Sequence, residues 1–381
     1  MSLINAVKAY TYDLEQRGLL RTRRLVDPGN ETMIYFDKND YLSLSENPQI
    51  KEAYQKAYEL FACGSGASML AGGYHPNHYA LERAFSQFLC IDECILFSSG
   101  YAANLAITAL LGKIKAYCFI DKNIHASVYD GLALSQVNYS RFKHNNLADL
   151  ALKVSNNLPN QVVLTEGIFS MGGKIAPLLQ MYSLCQQTQS TLLIDEAHSF
   201  GVLGRQGAGA ADHFGLTQKE IPLRVIPLGK ACAGQGAVVA GNEEWIQALL
   251  QAGRSVIYST AISPALSYGL LKALDILINA DDRRLKLMDL IAFFRGHINN
   301  SPLQWADSDS AIQQLHLGCP HLALYYATEL KKRGLSCAAL RAPTVTTKTT
   351  GLRIVLNYNH QQEHIEKLFR TLNEIYDYTI D

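Results

Sequence analysis

The sequence predicts an α/β protein: a mainly parallel open sheet covered by helices, with a smaller C-terminal α+β domain and a short N-terminal arm. Three observations carry this. Between about residues 90 and 240 short apolar runs alternate with helical stretches, each run spans about four or five residues, and the runs end at Gly, Asp, Glu or Lys. Runs that are apolar throughout suit strands covered on both faces. Alternation with helices suits a parallel sheet.

The first 45 residues read as an arm. MSLINAVKAYTYDLEQRG is polar and helix-prone, and Met33–Phe36 is a short strand ending in a turn at Asn39-Asp40. Residues 46–275 form the large domain, with strands expected at Cys94–Phe97, Ala116–Ile120, Gln161–Leu164, Thr191–Ile194, Arg224–Leu228 and Gly236–Ala240. Residues 276–381 form the small domain. It opens on an amphipathic helix over Asp281–Ile298, with Leu287, Ile291, Phe294 and Ile298 on one face, and continues in strands at Ala311–Leu317, Cys337–Leu340 and Leu352–Leu356. In open α/β sheets ligands bind beyond the carboxyl ends of the strands, so functional residues are sought there.

Composition narrows the function. Lys plus Arg equals Asp plus Glu at 34 each, and the densest basic cluster is only Arg21, Arg23 and Arg24. No overall field favours a polyanion, so nucleic acid and membrane surfaces are not expected partners. The start lacks the basic and apolar segments of a signal peptide, and no window reaches the ~18 apolar residues of a membrane span. The eight cysteines form no CxxC pair and read as reduced, buried thiols of a cytoplasmic protein.

Some motifs fail. Gly64-Ser65-Gly66 lacks the third glycine of a dinucleotide fingerprint and follows a helix. Gly229-Lys230 lacks the rest of a P-loop. His75 and His78 flank a helix entrance without further ligands, so no metal is expected.

The strongest constellation is Thr191-Leu-Leu-Ile-Asp195-Glu196-Ala197-His198, followed by Lys230 in Pro227-Leu-Gly-Lys. A carboxylate at the sheet edge can keep a heteroaromatic nitrogen protonated, and a lysine at a neighbouring strand end can form a Schiff base. Those are the parts of a pyridoxal phosphate site. A buried Asp–Lys ion pair with a capping histidine accounts for the same residues. Ser98-Ser99-Gly100-Tyr101-Ala-Ala-Asn104 follows a strand and opens a helix, where free N–H groups can meet an anion, or where serine simply caps.

In order, Ser99-Gly-Tyr-Ala-Ala-Asn104, His125-Ala-Ser127, Thr165-Glu-Gly-Ile-Phe-Ser-Met171, Asp195-Glu-Ala-His-Ser-Phe-Gly-Val202 and Gly229-Lys-Ala231 resemble the α-oxoamine synthases, which are fold-type I pyridoxal phosphate enzymes. The resemblance runs from Asn39-Asp-Tyr-Leu42 to Leu352-Arg353. It implies a homodimer with shared active sites that joins an amino acid to an acyl thioester with loss of carbon dioxide. Leu20-Arg21, Ala176-Pro-Leu178 and Ala342-Pro-Thr-Val345 are most similar to the branch using L-alanine and a pimeloyl thioester, on coenzyme A or an acyl carrier protein. A sister activity on glycine or serine, or a non-catalytic homologue, stays open.

The resemblance implies a role for each residue. Lys230 carries the cofactor and moves protons, Asp195 faces the ring nitrogen, and His198 and Ser170 face the phenolic oxygen. His125 stacks on the ring opposite Ala197. Gly100 and Tyr101 seat the phosphate, with Ser259 and Thr260 reaching the neighbouring subunit's. Arg353 clamps the amino-acid carboxylate, with Asn39 beside the substrate, and Arg21 and Thr344 touch the acyl group; Arg23 or Arg24 could replace Arg21. The chain departs from the family at Pro227, where Ser or Thr usually donates to the phosphate, and at Gly64-Ser-Gly-Ala-Ser68, where a third glycine is usual. Proline has neither hydroxyl nor N–H to give.

Overall fold

The computed structural model describes residues 2–23, 25–26, 32–154 and 158–380. Arg24 lies outside them. In chain order the strands are β1 (Ile34–Tyr35), β2 (Glu93–Phe97), β3 (Tyr117–Asp121), β4 (Asn138–Phe142), β5 (Gln161–Glu166), β6 (Thr191–Asp195), β7 (Leu223–Pro227), β8 (Ala237–Gly241), β9 (Gln304–Trp305), β10 (Ile312–His316), β11 (Leu335–Ser336), β12 (Ala338–Leu340) and β13 (Gly351–Val355). Two compact units emerge: Asp40–Ser170 with Ile175–Arg284, and Met1–Asn39 with Met171–Lys174 and Leu285–Asp381.

The first unit holds a seven-stranded sheet in the order β2-β8-β7-β6-β5-β3-β4. Every pairing is parallel except those of β8, which runs antiparallel to both β2 and β7. That corrects the expectation for Gly236–Ala240. Leu228 N–H donates to Gly236 O at 2.9 Å and closes a short β7–β8 connection. A connection of that length cannot make the crossover that parallel neighbours need.

Strand β4 was not expected. It is an edge strand paired only with β3, with Asn138, Tyr139 and Arg141 exposed and Phe142 buried, so it lacks the apolar run of a covered strand. The central strands match their patterns. All of β5 is buried, and Val162, Leu164, Leu193, Val225 and Val239 pack with Ala103, Ala106, Ile107 and Leu110 of the helix Gly100–Lys113. Burying that helix behind the sheet fixes its N-terminus at the sheet's carboxyl edge.

The second unit has a four-stranded antiparallel sheet, β12-β13-β10-β9, and a parallel β1–β11 pair. The helix Asp281–Ile298 has the expected bounds and buries Leu287, Leu290, Ile291 and Phe294.

The cysteines are only partly as expected. Cys118, Cys185, Cys232 and Cys337 are buried, but Cys63 and Cys90 are exposed. Cys90 takes a left-handed conformation (φ 53°) ending the helix Pro76–Leu89, which carries it out of the apolar run. No helix among the described residues is long and apolar enough to cross a membrane.

Candidate active site

Three strands meet at the carboxyl edge. Asp195 ends β6 with Glu166 of β5 on one side and Val225 of β7 on the other. Strand β7 runs on to Pro227, and Lys230 follows in the tight loop. Asp195 is buried. Its Oδ1 accepts from Ala197 N–H at 2.9 Å and its Oδ2 from Asn104 Nδ2 at 2.9 Å. Two donors therefore aim the carboxylate.

Asn104 Nδ2 also donates to Ser127 Oγ at 3.0 Å, and Ser127 Oγ lies 2.8 Å from His125 Nδ1. A hydrogen-bonded chain thus links the Asp195 carboxylate to the His125 ring, which caps the helix Ala126–Leu134. Crowding strips water from that ring and lowers its pKa; the Asp195 carboxylate raises it and the Lys230 ammonium lowers it. The structure thereby brings Asp195, His125 and Lys230 within electrostatic reach of one another.

His198 is buried, and its Nδ1 lies 2.6 Å from the hydroxyl of Tyr41, itself 1% exposed. Ser170 N–H donates to Glu166 Oε2 at 3.2 Å, whereas the buried Oε1 of Glu166 has no hydrogen-bond partner among the described residues. Burial drives the Glu166 pKa well up, and the Asp195 carboxylate adds to the rise. The turn after Asp195 is pinned by Glu196, which accepts from Ala210 N–H (2.7 Å), Ala211 N–H (3.1 Å) and the Ser199 hydroxyl and lies 3.7 Å from the buried Arg224 guanidinium. Such a satisfied buried charge holds geometry more than it adds stability.

At the start of the helix Gly100–Lys113, Ser99 Oγ accepts from Ala102 N–H at 3.1 Å. Gly100 meets the Pro227 ring so closely that an added Cβ would lie 2.6 Å from Pro227 Cγ. Any side chain at position 100 would therefore clash with the Pro227 ring. Tyr101 is exposed and donates its hydroxyl proton to Asp130. Ser259 is half-buried and Thr260 exposed in the loop after the helix Arg254–Ile257. That loop is tied down by Ala261 N–H to Ala67 O (3.0 Å) and Ser65 Oγ to Ile262 O (2.6 Å).

The second unit holds the remaining candidates. Arg21 Nη2 donates to Thr344 Oγ1 at 3.0 Å, bringing together residues far apart in sequence. Arg353 is 7% exposed on β13, in register with Gln314 of β10 and Ala338 of β12. Asn39 is half-buried beyond β1, and Arg23 is exposed. His75 and His78 are spent on capping: His75 Nδ1 accepts from Asn77 N–H (3.1 Å) and His78 Nδ1 from His75 N–H (2.9 Å).

Comparison with known proteins bears on this arrangement. The aminotransferase class I and II family model matches residues 31–372. An 8-amino-7-oxononanoate synthase of Cellvibrio japonicus (strain Ueda107) is 37% identical over 372 residues, 97% of this chain and 93% of that one. The chain belongs to the 8-amino-7-oxononanoate synthase family, within the class I and II aminotransferases. The 8-amino-7-oxononanoate synthase of Thioalkalivibrio sulfidiphilus (strain HL-EbGR7) is 36% identical over 95% of both chains. Among solved structures, the 8-amino-7-oxononanoate synthase of Francisella tularensis is 32% identical with a TM-score of 0.82, covering 92% of this chain and all of that one. A serine palmitoyltransferase from S. paucimobilis, solved with a bound PLP–myriocin aldimine, is 25% identical with a TM-score of 0.90 over 97% of each chain.

The fold is therefore that of the fold-type I pyridoxal phosphate enzymes, and the cofactor is pyridoxal phosphate. The residues seen here fit that group: a twice-anchored carboxylate, a lysine past the next strand, and a helix start at Gly100 beside that strand's end. Four contributors escaped the sequence reading as individuals: Asn104, Ser127, Tyr41 and Glu166. Each sits inside a motif; Asn104 and Tyr41 meet partners in distant segments that no local pattern discloses, whereas Ser127 also contacts His125 and Glu166 meets Ser170 close by in sequence.

Proposed function

We propose that this chain condenses L-alanine with a pimeloyl thioester, carried on coenzyme A or an acyl carrier protein, releasing carbon dioxide and forming 8-amino-7-oxononanoate for biotin biosynthesis. The observation carrying this reading is the sheet edge itself: Asp195 oriented by Asn104 and Ala197 N–H, with Lys230 delivered just past the adjacent strand and His125 within the same field. Bound pyridoxal phosphate supplies an aldehyde for the amino group and a protonated ring that accepts the electron pair freed at the α-carbon.

Each residue has a part. Lys230 would hold the cofactor and, with its Nζ free, would take the α-proton of alanine. Asp195 keeps the ring nitrogen protonated, since an adjacent anion favours the cation. His198 and Ser170 serve the phenolic oxygen. His125 and Ala197 would pack against the bound cofactor, and His125 would shield the reacting carbon from water. Gly100 and Tyr101 seat the phosphate, and Ser259 and Thr260 reach the phosphate of a second copy, which makes the working form a homodimer. Arg353 grips the alanine carboxylate with its fork of donors, beside Asn39, until decarboxylation removes that group. Arg21 and Thr344 line the acyl end. The setting is the cytoplasm.

Mass detection of the product from paired amino acids and thioesters tests this. Alanine with pimeloyl thioester should give 8-amino-7-oxononanoate, and Lys230→Ala should give none. Preferential turnover of glycine or serine with another thioester would replace this reading with a sister activity.

A further inference from the structure

The hydrogen bonds around His125 fix more than its position. Ser127 backbone N–H points at His125 Nδ1 at 3.3 Å, and Ser127 Oγ lies 2.8 Å from the same nitrogen. A backbone N–H can only donate, so Nδ1 must be the bare acceptor and the proton must sit on Nε2. The neighbouring hydroxyl has one proton to give. Ser127 Oγ already accepts from Asn104 Nδ2, whose second proton goes to Asp195 Oδ2. Every donor in the chain thus has a single consistent direction: Asn104 gives to Asp195 and to Ser127, and Ser127 gives to His125.

We infer that Asn104 and Ser127 are positioning residues that lock His125 as the neutral imidazole with its proton on Nε2, so that His125 meets the bound reactants as a hydrogen-bond donor and not as a base or a cation. Protonating Nδ1 would require two changes at once. The Ser127 hydroxyl would have to turn its proton away, and the Ser127 N–H would lose its acceptor while Ser127 is 0% exposed. Leaving a buried donor unmet is costly, so the neutral form is held. The charged groups facing His125 are Asp195, Lys230 and Asp130, and the ring's lowered pKa agrees with the lock. One end of the chain is the carboxylate that serves the cofactor nitrogen; the same amide therefore orients two groups on opposite duties. The lock rests on this geometry alone, whereas the donor role in the reaction rests on the function proposed above.

The test is nitrogen NMR of histidine-labelled protein without cofactor, with His125 assigned by comparison with His125→Gln. Wild type should show one neutral tautomer, protonated at Nε2, persisting well below the ordinary histidine midpoint. Ser127→Ala should raise that midpoint by about one pH unit, because the hydroxyl hydrogen bond to the neutral form is removed, while the neutral ring keeps its proton on Nε2 because the residue 127 backbone N–H still donates to Nδ1. Asn104→Ala should do the same more weakly, and Ser127→Thr should restore the wild-type signature. A proton on Nδ1 in wild type, or a Ser127→Ala titration unchanged from wild type, would overturn the lock. Retained pyridoxal phosphate affinity accompanying a failed lock would leave the proposed function standing; a confirmed lock in a protein unable to bind pyridoxal phosphate would remove that function and keep the lock.

Discussion

Replacing Asn104 by alanine probes the support of the Asp195 carboxylate, the proposed partner of the cofactor ring. The change removes the donor to Asp195 Oδ2 at 2.9 Å and leaves, among the described residues, Ala197 N–H on that carboxylate, by way of Oδ1. A charge-assisted hydrogen bond contributes about 1.5–3 kcal/mol. Each 1.4 kcal/mol is about tenfold in a binding constant, so pyridoxal phosphate should bind about tenfold to about a hundredfold more weakly. A small cavity of about 20 Å³ already borders Asn104, Thr108, Thr165 and Asp195. Enlarged by the lost amide, it can admit a water that partly replaces the donor, which favours the lower end of that range. The assay is titration of the apoprotein with pyridoxal phosphate, read by visible absorbance, beside thermal unfolding of the apoprotein. Affinity within about twofold of wild type in a stably folded variant would refute the view that Asn104 supports the Asp195 carboxylate.

Other perturbations reach different parts of the structure. Tyr41→Phe deletes the 2.6 Å contact with His198 Nδ1 and should cost about 1–2 kcal/mol of unfolding free energy while shifting the absorbance maximum or titration of the bound cofactor; an unchanged spectrum would detach His198 from the cofactor. Pro227→Thr should tighten pyridoxal phosphate binding severalfold to about a hundredfold if the hydroxyl reaches the phosphate; equal or weaker binding by titration would show that the Gly100–Pro227 packing already suffices. Glu82 is buried, accepts from Leu96 N–H at 2.9 Å and from the Tyr74 hydroxyl, and has its pKa pushed up by burial to about 7. The folded state then holds a proton that the unfolded chain releases near pH 4.5. Its contribution is most favourable below that pH and is lost as pH rises to about 7. Glu82→Gln should flatten the decline in unfolding free energy between pH 5 and pH 8 by about 2–3 kcal/mol, measured by denaturant titration at both pH values.

The covered strands were legible because burial on both faces demands continuous apolar residues, as in Val162-Val163-Leu164 and Leu192-Leu193-Ile194. Edge strand β4 was not, since Asn138, Tyr139 and Arg141 face solvent. The direction of β8 was hidden too: its composition is that of any buried strand, and only the brevity of the chain from Leu228 to Gly236 decides that it turns back. At the site, Asp195 and Lys230 could be picked out because a charge closing an apolar run is a local pattern. Of the two donors that orient Asp195, Ala197 N–H is local but Asn104 is not, and the Tyr41 contact of His198 is not local either. Asn104 meets Asp195 across 91 positions and Tyr41 meets His198 across 157, distances over which sequence pattern says nothing about proximity.

The most direct test is reduction of the pyridoxal-phosphate-loaded protein with borohydride, followed by peptide mass spectrometry. A single phosphopyridoxyl group on the Lys230 peptide, lost in Lys230→Ala, is the predicted outcome. A label on another lysine, or none on a protein that still forms product, would contradict the account at its centre.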